Sequence, residues 1–286
     1  MKAHLRQLVE RANNDLARGQ LVREYLQARI LQVLQDQGMF VRWAFLGGTA
    51  LRFLYAIPRF SEDLDFSVLT PGADSGLRSA LGGVTRALQA EGYRVEATIK
   101  DGKTVASAFV KFPGLPHECG LSPRAEQTLS VKVEVDTNPP TGAAIETTLV
   151  RRHVTLRLCH YDQASLFAGK LSAVLTRPWP KGRDLFDLAW YLADPSWPAP
   201  NLALLNAALT QTGWAGPTMT AANWRQEVRR RLATLDWTAA TPLYPEKRHR
   251  ARIAPIQAPG LRHFNRGIAG PMDHARLERY RHINPR

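Results

Sequence analysis

The sequence predicts an α+β (α/β) fold in which a mixed sheet is followed by a helical C-terminal half. Three observations carry that prediction. Short apolar-alternating runs fill the chain up to Leu158; helical periodicity takes over from Gln163 to Leu235; and a Pro-, Gly-, Arg- and His-rich composition sets in at Thr241. The expected division is 1–158, a sheet domain with N-terminal helices; 159–240, a helical domain carrying Lys170 and Asp184; and 241–286, a basic tail. At 286 residues and 44% hydrophobic, the chain can bury a sizeable core.

Leu5, Leu8 and Val9 share a helical face, and after a break at Gly19 the pattern resumes through Leu21, Tyr25, Ile30, Val33 and Leu34 until Gln37-Gly38 closes it. Val41 to Leu46 reads as a strand ending in Gly47-Gly48, followed by a short helix through Leu51 and Leu54 to Tyr55 that Pro58 stops. A strand over Leu64 to Val68, a Pro-Gly turn and a helix through Leu77, Leu81, Val84 and Leu88 come next. Tyr93 to Lys100 and Val105 to Phe112 flank Asp101-Gly102 as a hairpin. Gln127 to Asp136 is a strand with Leu129, Val131, Val133 and Val135 on one face, and His153 to Leu158 is the last. Helices are expected over Gln163 to Thr176, Asp184 to Leu192, Leu202 to Leu209 and Trp224 to Leu235, with a further helical stretch around Ala275 to Arg281 in an otherwise irregular tail.

Composition excludes several classes. Charged residues interrupt every apolar run before the roughly 18 residues a membrane span needs, and Met1 to Asn14 has no signal-peptide block, so a cytoplasmic location without a membrane partner is the expectation. Cys119 and Cys159 form no Cys-x-x-Cys pair, which argues against a disulfide framework or a zinc site. The net charge of +13 favours polyanionic partners such as RNA, DNA or nucleotides. The tail holds ten Lys or Arg against three acids, so +7 of that excess sits there.

The segment Leu46 to Val68, LGGTALRFLYAIPRFSEDLDFSV, carries the chemistry. Asp63 and Asp65, two apart on a strand, project from the same face while Leu64 and Phe66 point into the core. Two such carboxylates can share a divalent cation, and hard oxygen ligands suit Mg2+ (or Mn2+). Gly47-Gly48 at a strand-to-helix junction lets backbone approach phosphate, and Thr49 either caps the helix or touches that phosphate. Taken singly, the glycines read equally as a plain turn and the acids as a solvated face. Lys132, Glu134 and Asp136 share the face opposite Val131, Val133 and Val135. Lys170 falls inside the apolar stripe of Leu166, Phe167, Leu171 and Val174, so its stem snorkels to water or its ammonium meets an anion. Asp184 starts a helix, where an acid also serves as a cap.

These residues resemble the polymerase-beta-like nucleotidyltransferase signature, Gly-Gly followed after a short helix by Asp-x-Asp. More closely, GGTALRF with RFSEDLDFS is similar to the AbiEii-like or MenT-like toxins of type IV toxin-antitoxin systems; the clear match spans about 22 residues, with looser ones reaching Leu188. The resemblance implies an NTP-dependent transfer of a nucleoside monophosphate to an acceptor hydroxyl, a tRNA 3' end, with pyrophosphate released and a cognate antitoxin as partner. It implies that Asp63, Asp65 and Glu134 bind metal, with Asp136 as the alternative third acid. Lys170 would hold the triphosphate, Arg59 and Ser61 would bind phosphate beside Gly47, Gly48 and Thr49, and Asp184, or Asp187 in its place, would act as a base or orient the nucleophile. Arg177, Lys181 and Arg183, with Arg229, Arg230 and Arg231, read either as an RNA track or as solvated charge. The rival to an enzyme is a non-catalytic nucleic-acid-binding protein on the same scaffold.

Overall fold

The computed structural model describes residues 2–10, 12, 14–100, 104–179 and 181–235; the Asp101-Gly102 turn and the tail from Thr241, with its helix expected around Ala275 to Arg281, lie outside them. The chain forms two compact units. The first takes the described residues up to Pro139 together with Ile145–Tyr161, and the second takes Pro140–Ala144 and the described residues from Asp162 onward.

The first unit holds the mixed sheet that the sequence predicts, built of seven strands. Its strands are β1 Trp43–Leu46, β2 Asp63–Val68, β3 Glu96–Lys100, β4 Val105–Pro113, β5 Thr128–Asp136, β6 Ile145–Arg152 and β7 Val154–Tyr161, in the order β3-β4-β5-β2-β1-β7-β6. β1 runs parallel to β7 and β2 parallel to β5, and the remaining neighbours are antiparallel. Strand parity sorts the faces. Phe45, Leu64, Phe66, Val131, Val133, Leu156 and Leu158 are buried together, with the Phe66 ring 5.3 Å from Phe45 and 5.2 Å from Trp43. Fully burying one such ring stabilises the fold by about 1.5–3 kcal/mol.

Helices α1 Lys2–Glu10, α2 Asp15–Asp36, α3 Gly47–Tyr55, α4 Leu77–Ala90 and α5 Leu115–Glu118 complete this unit. α2 packs on β5, β7 and α4 through Val22, Leu26, Ile30, Leu31 and Leu34. The break expected at Gly19 is not there: the Asn14 side chain accepts from the Ala17 N–H at 2.8 Å, and the helix runs unbroken from Asp15 through Gly19 to its left-handed stop at Gly38 (φ 71°). A capped helix with a long apolar stripe tolerates an interior glycine, which costs about 1 kcal/mol. Val41 lies in a 3-10 turn over Met39–Val41, so β1 is shorter than expected.

Strand β6 is absent from the sequence reading. Ile145, Thr147, Leu149 and Arg151 are all exposed, so the strand shows no apolar-in alternation strong enough to reveal it. Its turn into β7 contains no glycine or asparagine; His153 takes the left-handed conformation (φ 59°) instead.

The second unit is helical, with α6 Gln163–Thr176, α7 Gly182–Ala193, α8 Leu202–Gln211 and α9 Trp224–Ala233. Asp162 caps α6 by accepting from Ser165 N–H (2.7 Å), and Asn201 caps α8 by accepting from Leu204 N–H (3.1 Å). The Asn201 amide also donates to the Gly142 carbonyl (2.7 Å), fastening 140–144 to the helices. Phe167 stacks on Tyr191 at 4.7 Å and meets Trp224 edge-on at 5.7 Å in the core. Among the described residues no helix is long and apolar enough to cross a membrane.

Candidate active site

β1 passes into α3 without a loop, and that junction builds the site. Leu46 pairs with Asp65 across the antiparallel β1–β2 ladder, so the residue after Leu46 lies beside the Asp65 side chain. That residue is Gly47, at φ 81°; a Cβ there would strike the Asp65 carboxylate. A Cβ on Gly48 would come within 2.7 Å of Arg59 Nη2 and 2.8 Å of Ser61 Oγ. A side chain at either position would have to displace these groups, and at Gly47 the positive φ would strain it as well. No side chain caps the start of α3, leaving its positive end for an anion.

Asp63 and Asp65 are both half-buried on the face of β2 opposite Leu64 and Phe66. The parallel β2–β5 register sets Lys132 opposite Asp63 and Glu134 opposite Asp65. Lys132 Nζ pairs with Glu134 Oε1 at 2.7 Å, so this acid is already bound to a lysine. Asp136 lies two pairs further along, opposite Ser67. Burial pushes its carboxyl above the ordinary range, against the pull of the Asn138 N–H. Among the described residues, no three His, Cys, Asp or Glu converge closely enough to hold a metal ion by themselves. The donor set nonetheless fits Mg2+, which takes one or two carboxylates and completes its shell with water and substrate phosphate.

Thr49 needs correction as a phosphate ligand. It is fully buried and its hydroxyl donates to the Asp63 carbonyl, so it joins α3 to the start of β2 and neither caps the helix nor faces a ligand. Arg59 and Ser61, only 3% and 9% exposed, pack over Gly48; Arg59 Nη1 donates to the Phe60 carbonyl at 3.0 Å.

The segment before Asp63 is gripped from behind by a polar stripe on α2 that the sequence reading missed. Gln20, Glu24 and Gln27, spaced four and three apart, are all buried on one face of this helix. Gln27 donates to the Ser61 carbonyl at 3.0 Å, and Arg23 pairs with Glu62 at 2.9 Å. Glu24 accepts from Arg52 Nε (2.6 Å), Arg152 Nε (3.0 Å) and His153 Nε2 (3.0 Å). Burial alone would raise the Glu24 carboxyl, but His153 and the two guanidiniums outweigh it and hold it down to about 2. Three inward polar residues at helical spacing were the available signal.

In the second unit, the Lys170 ammonium meets anions rather than water: Asp184 Oδ1 at 3.1 Å and Asp187 Oδ2 at 2.8 Å, both carboxylates buried. The Arg177 guanidinium pairs with the other Asp184 oxygen. Burial raises the Asp184 carboxyl, yet Lys170 and Arg177 together leave it below the ordinary range. The two cations thus hold Asp184 in its charged form. It does not cap α7; it sits two residues into the helix, its N–H bonded to the Lys181 carbonyl at 2.8 Å. Of the six cations read as an RNA track, Arg177 is committed to Asp184. Arg231 donates to the carbonyls of Val174 (3.3 Å) and Arg177 (2.5 Å), and Arg230 pairs with Glu227 (2.5 Å).

A glycine turn closed onto paired strand aspartates, on a mixed sheet with helices following, is the architecture of a nucleotidyltransferase. The chain belongs to the family described as nucleotidyl transferase AbiEii toxin, type IV TA system, whose model matches residues 29–259. It is thus a nucleotidyltransferase toxin of a toxin-antitoxin system. No curated protein matches the chain. Among solved structures, MenT4, a nucleotidyltransferase toxin from Mycobacterium tuberculosis H37Rv, aligns over 94% of this chain and 98% of its own at 19% identity and a TM-score of 0.50, a likeness of fold. JHP933 from Helicobacter pylori aligns over 74% of this chain and 88% of its own, at 19% identity and a TM-score of 0.45.

Proposed function

We propose that this toxin transfers a nucleoside monophosphate from an NTP to a hydroxyl of RNA, a tRNA 3' end, with Asp63 and Asp65 as metal ligands. The observation that carries the reading is the Leu46–Asp65 pairing, which seats the Gly47 turn against the Asp65 carboxylate with Asp63 on the same face. When bound, Mg2+ supplies charge neutralisation of the phosphates and activation of the attacking hydroxyl.

The chain's own residues do the remaining work. Gly47 and Gly48 let the backbone approach phosphate at the positive end of α3, which accommodates a triphosphate without a side chain in the way. The acceptor oxygen attacks the α-phosphorus, the bond to the bridging oxygen breaks, and pyrophosphate leaves. Glu134, paired with Lys132, would serve as the third acid and would hold the cation together with Asp63 and Asp65. Lys170 is the triphosphate clamp of the helical unit, and Asp184 and Asp187 hold its ammonium until phosphate displaces them. Arg59 and Ser61 serve chiefly to shape the turn at Gly48. We assign catalysis to 1–158, the lysine clamp to 159–240 and sequence-independent RNA attraction to the basic 241–286, and the type IV system supplies an antitoxin.

Incubation with Mg2+, each labelled NTP in turn and total tRNA tests this. Label on RNA with wild-type protein, and none with Asp65→Ala at an unchanged melting temperature, is the expected result. RNA bound by wild-type protein with no label transferred under any NTP would overturn it.

A further inference from the structure

Tryptophan is seldom left in water, because its ring contributes more when buried. Trp179 is 70% exposed, on the connection between α6 and α7. This connection is fixed at its base. Arg231, reaching over from α9, donates to the carbonyls of Arg177 (2.5 Å) and Pro178 (3.4 Å), and the Arg177 N–H is bonded to Ala173 at 3.3 Å. Two residues before the indole, the Arg177 side chain pairs with Asp184, the carboxylate that also holds Lys170. Lys181 and Arg183 follow directly. An open indole on an anchored, proline-bearing connection, flanked in sequence by Arg177, Lys181 and Arg183, has the makings of a stacking platform for the base of a phosphate-bearing ligand.

We propose that Trp179 stacks on a nucleobase, that of the incoming NTP or of the RNA acceptor. The proposal rests on the transferase reading for what the base belongs to, but its test does not require turnover. A bare apolar contact for a protein partner would fit the indole; the flanking charge favours a phosphate-bearing ligand instead.

The experiment compares wild-type protein, Trp179→Ala and Trp179→Phe for binding of each NTP, of oligoadenylate and of an abasic oligomer with the same number of phosphates. Since the side chain is exposed, Trp179→Ala should melt with wild-type protein. Stacking predicts that Trp179→Ala weakens one base-bearing ligand roughly 5- to 100-fold, the span of base–aromatic stacking, while the abasic oligomer is unaffected and Trp179→Phe stays near wild type. A loss confined to NTP assigns the donor base; one confined to oligoadenylate assigns the acceptor. Equal loss for abasic and base-bearing oligomers, no loss for any ligand, or a defect only in binding a protein partner would each overturn the proposal. Failure of the transferase reading has a separate signature: wild-type protein transfers no label, whatever the stacking measurements show.

Discussion

The carboxylates of β2 and the lysine cluster of α6–α7 put charge to opposite uses. Asp63 and Asp65 stand half-buried on a strand whose approach is locked from behind by Gln27 and Thr49 and whose front is bounded by a glycine turn. Lys170, Arg177, Asp184 and Asp187 satisfy one another, two positive charges against two negative. The first region has its rigidity in the support behind two half-buried acids on the strand face. The second has its charges closed in ion pairs, which a ligand of Lys170 would have to displace. The ready part is thus a supported strand face, and its counterpart is a closed ion-pair cluster.

That contrast is broken most severely by removing an acid from the ready part. Asp65→Ala should lower the transfer rate on the order of 10³-fold, since several kcal/mol of transition-state charge stabilisation go with the ligand. Its melting temperature should stay within a few degrees of wild type, measured by thermal denaturation beside the rate.

Removing a support should do the reverse. Glu24→Ala leaves Arg52, Arg152 and His153 without their buried anion and should cost about 3–5 kcal/mol in urea unfolding. Its pH signature has a definite sign. The folded carboxyl is held down to about 2, below the ordinary 4.5 of a glutamate, so the stability it contributes is complete above 4.5 and is lost as pH falls toward 2. The Asp184 carboxyl, also held down, adds to the same acid-side loss. Urea midpoints of Glu24→Gln measured from pH 6 to pH 2.5 should change less steeply than those of wild-type protein over this window.

Gly47→Ala probes the junction itself. A side chain at φ 81° costs about 1–2 kcal/mol, and its Cβ would also displace the Asp65 carboxylate, so transfer should fall by more than the stability loss accounts for. Rates and unfolding free energies measured on the same preparation separate the two. Equal losses would mean that the glycine serves the fold alone.

The smallest effect should come from the closed cluster. Asp187→Asn removes one of two carboxylates from Lys170 and frees its ammonium for phosphate, so KM for NTP should fall or hold steady while stability drops by about 1–3 kcal/mol. Steady-state kinetics with varied NTP reads this directly. A large rise in KM would show that Asp187 positions the lysine for substrate instead of withholding it.

What the sequence made legible follows strand parity and helix period. The β2 acids and the β5 stripe alternate with buried partners, so their faces could be read at once, and Lys170 was conspicuous as a charge within an apolar helical stripe. What was hidden depended on distant chain. Thr49 looks like a phosphate ligand until β2 brings the Asp63 carbonyl to its hydroxyl. Asp184 looks like a helix-starting acid until Lys170 and Arg177 close on it from α6 and the loop beyond. Strand β6 is written in exposed residues because it sits at a sheet edge, where there is little apolar pattern to read. The Glu24 cluster joins residues up to 129 positions apart, a distance over which local periodicity carries no information.

The most direct test of the account is calorimetry of NTP binding with and without Mg2+ for wild-type protein, Asp65→Asn and Asp184→Asn. The β2 carboxylates as metal ligands predict that Mg2+ strengthens NTP binding in wild-type protein and in Asp184→Asn, and that Asp65→Asn loses the enhancement. Retention of the full Mg2+ enhancement by Asp65→Asn would contradict it.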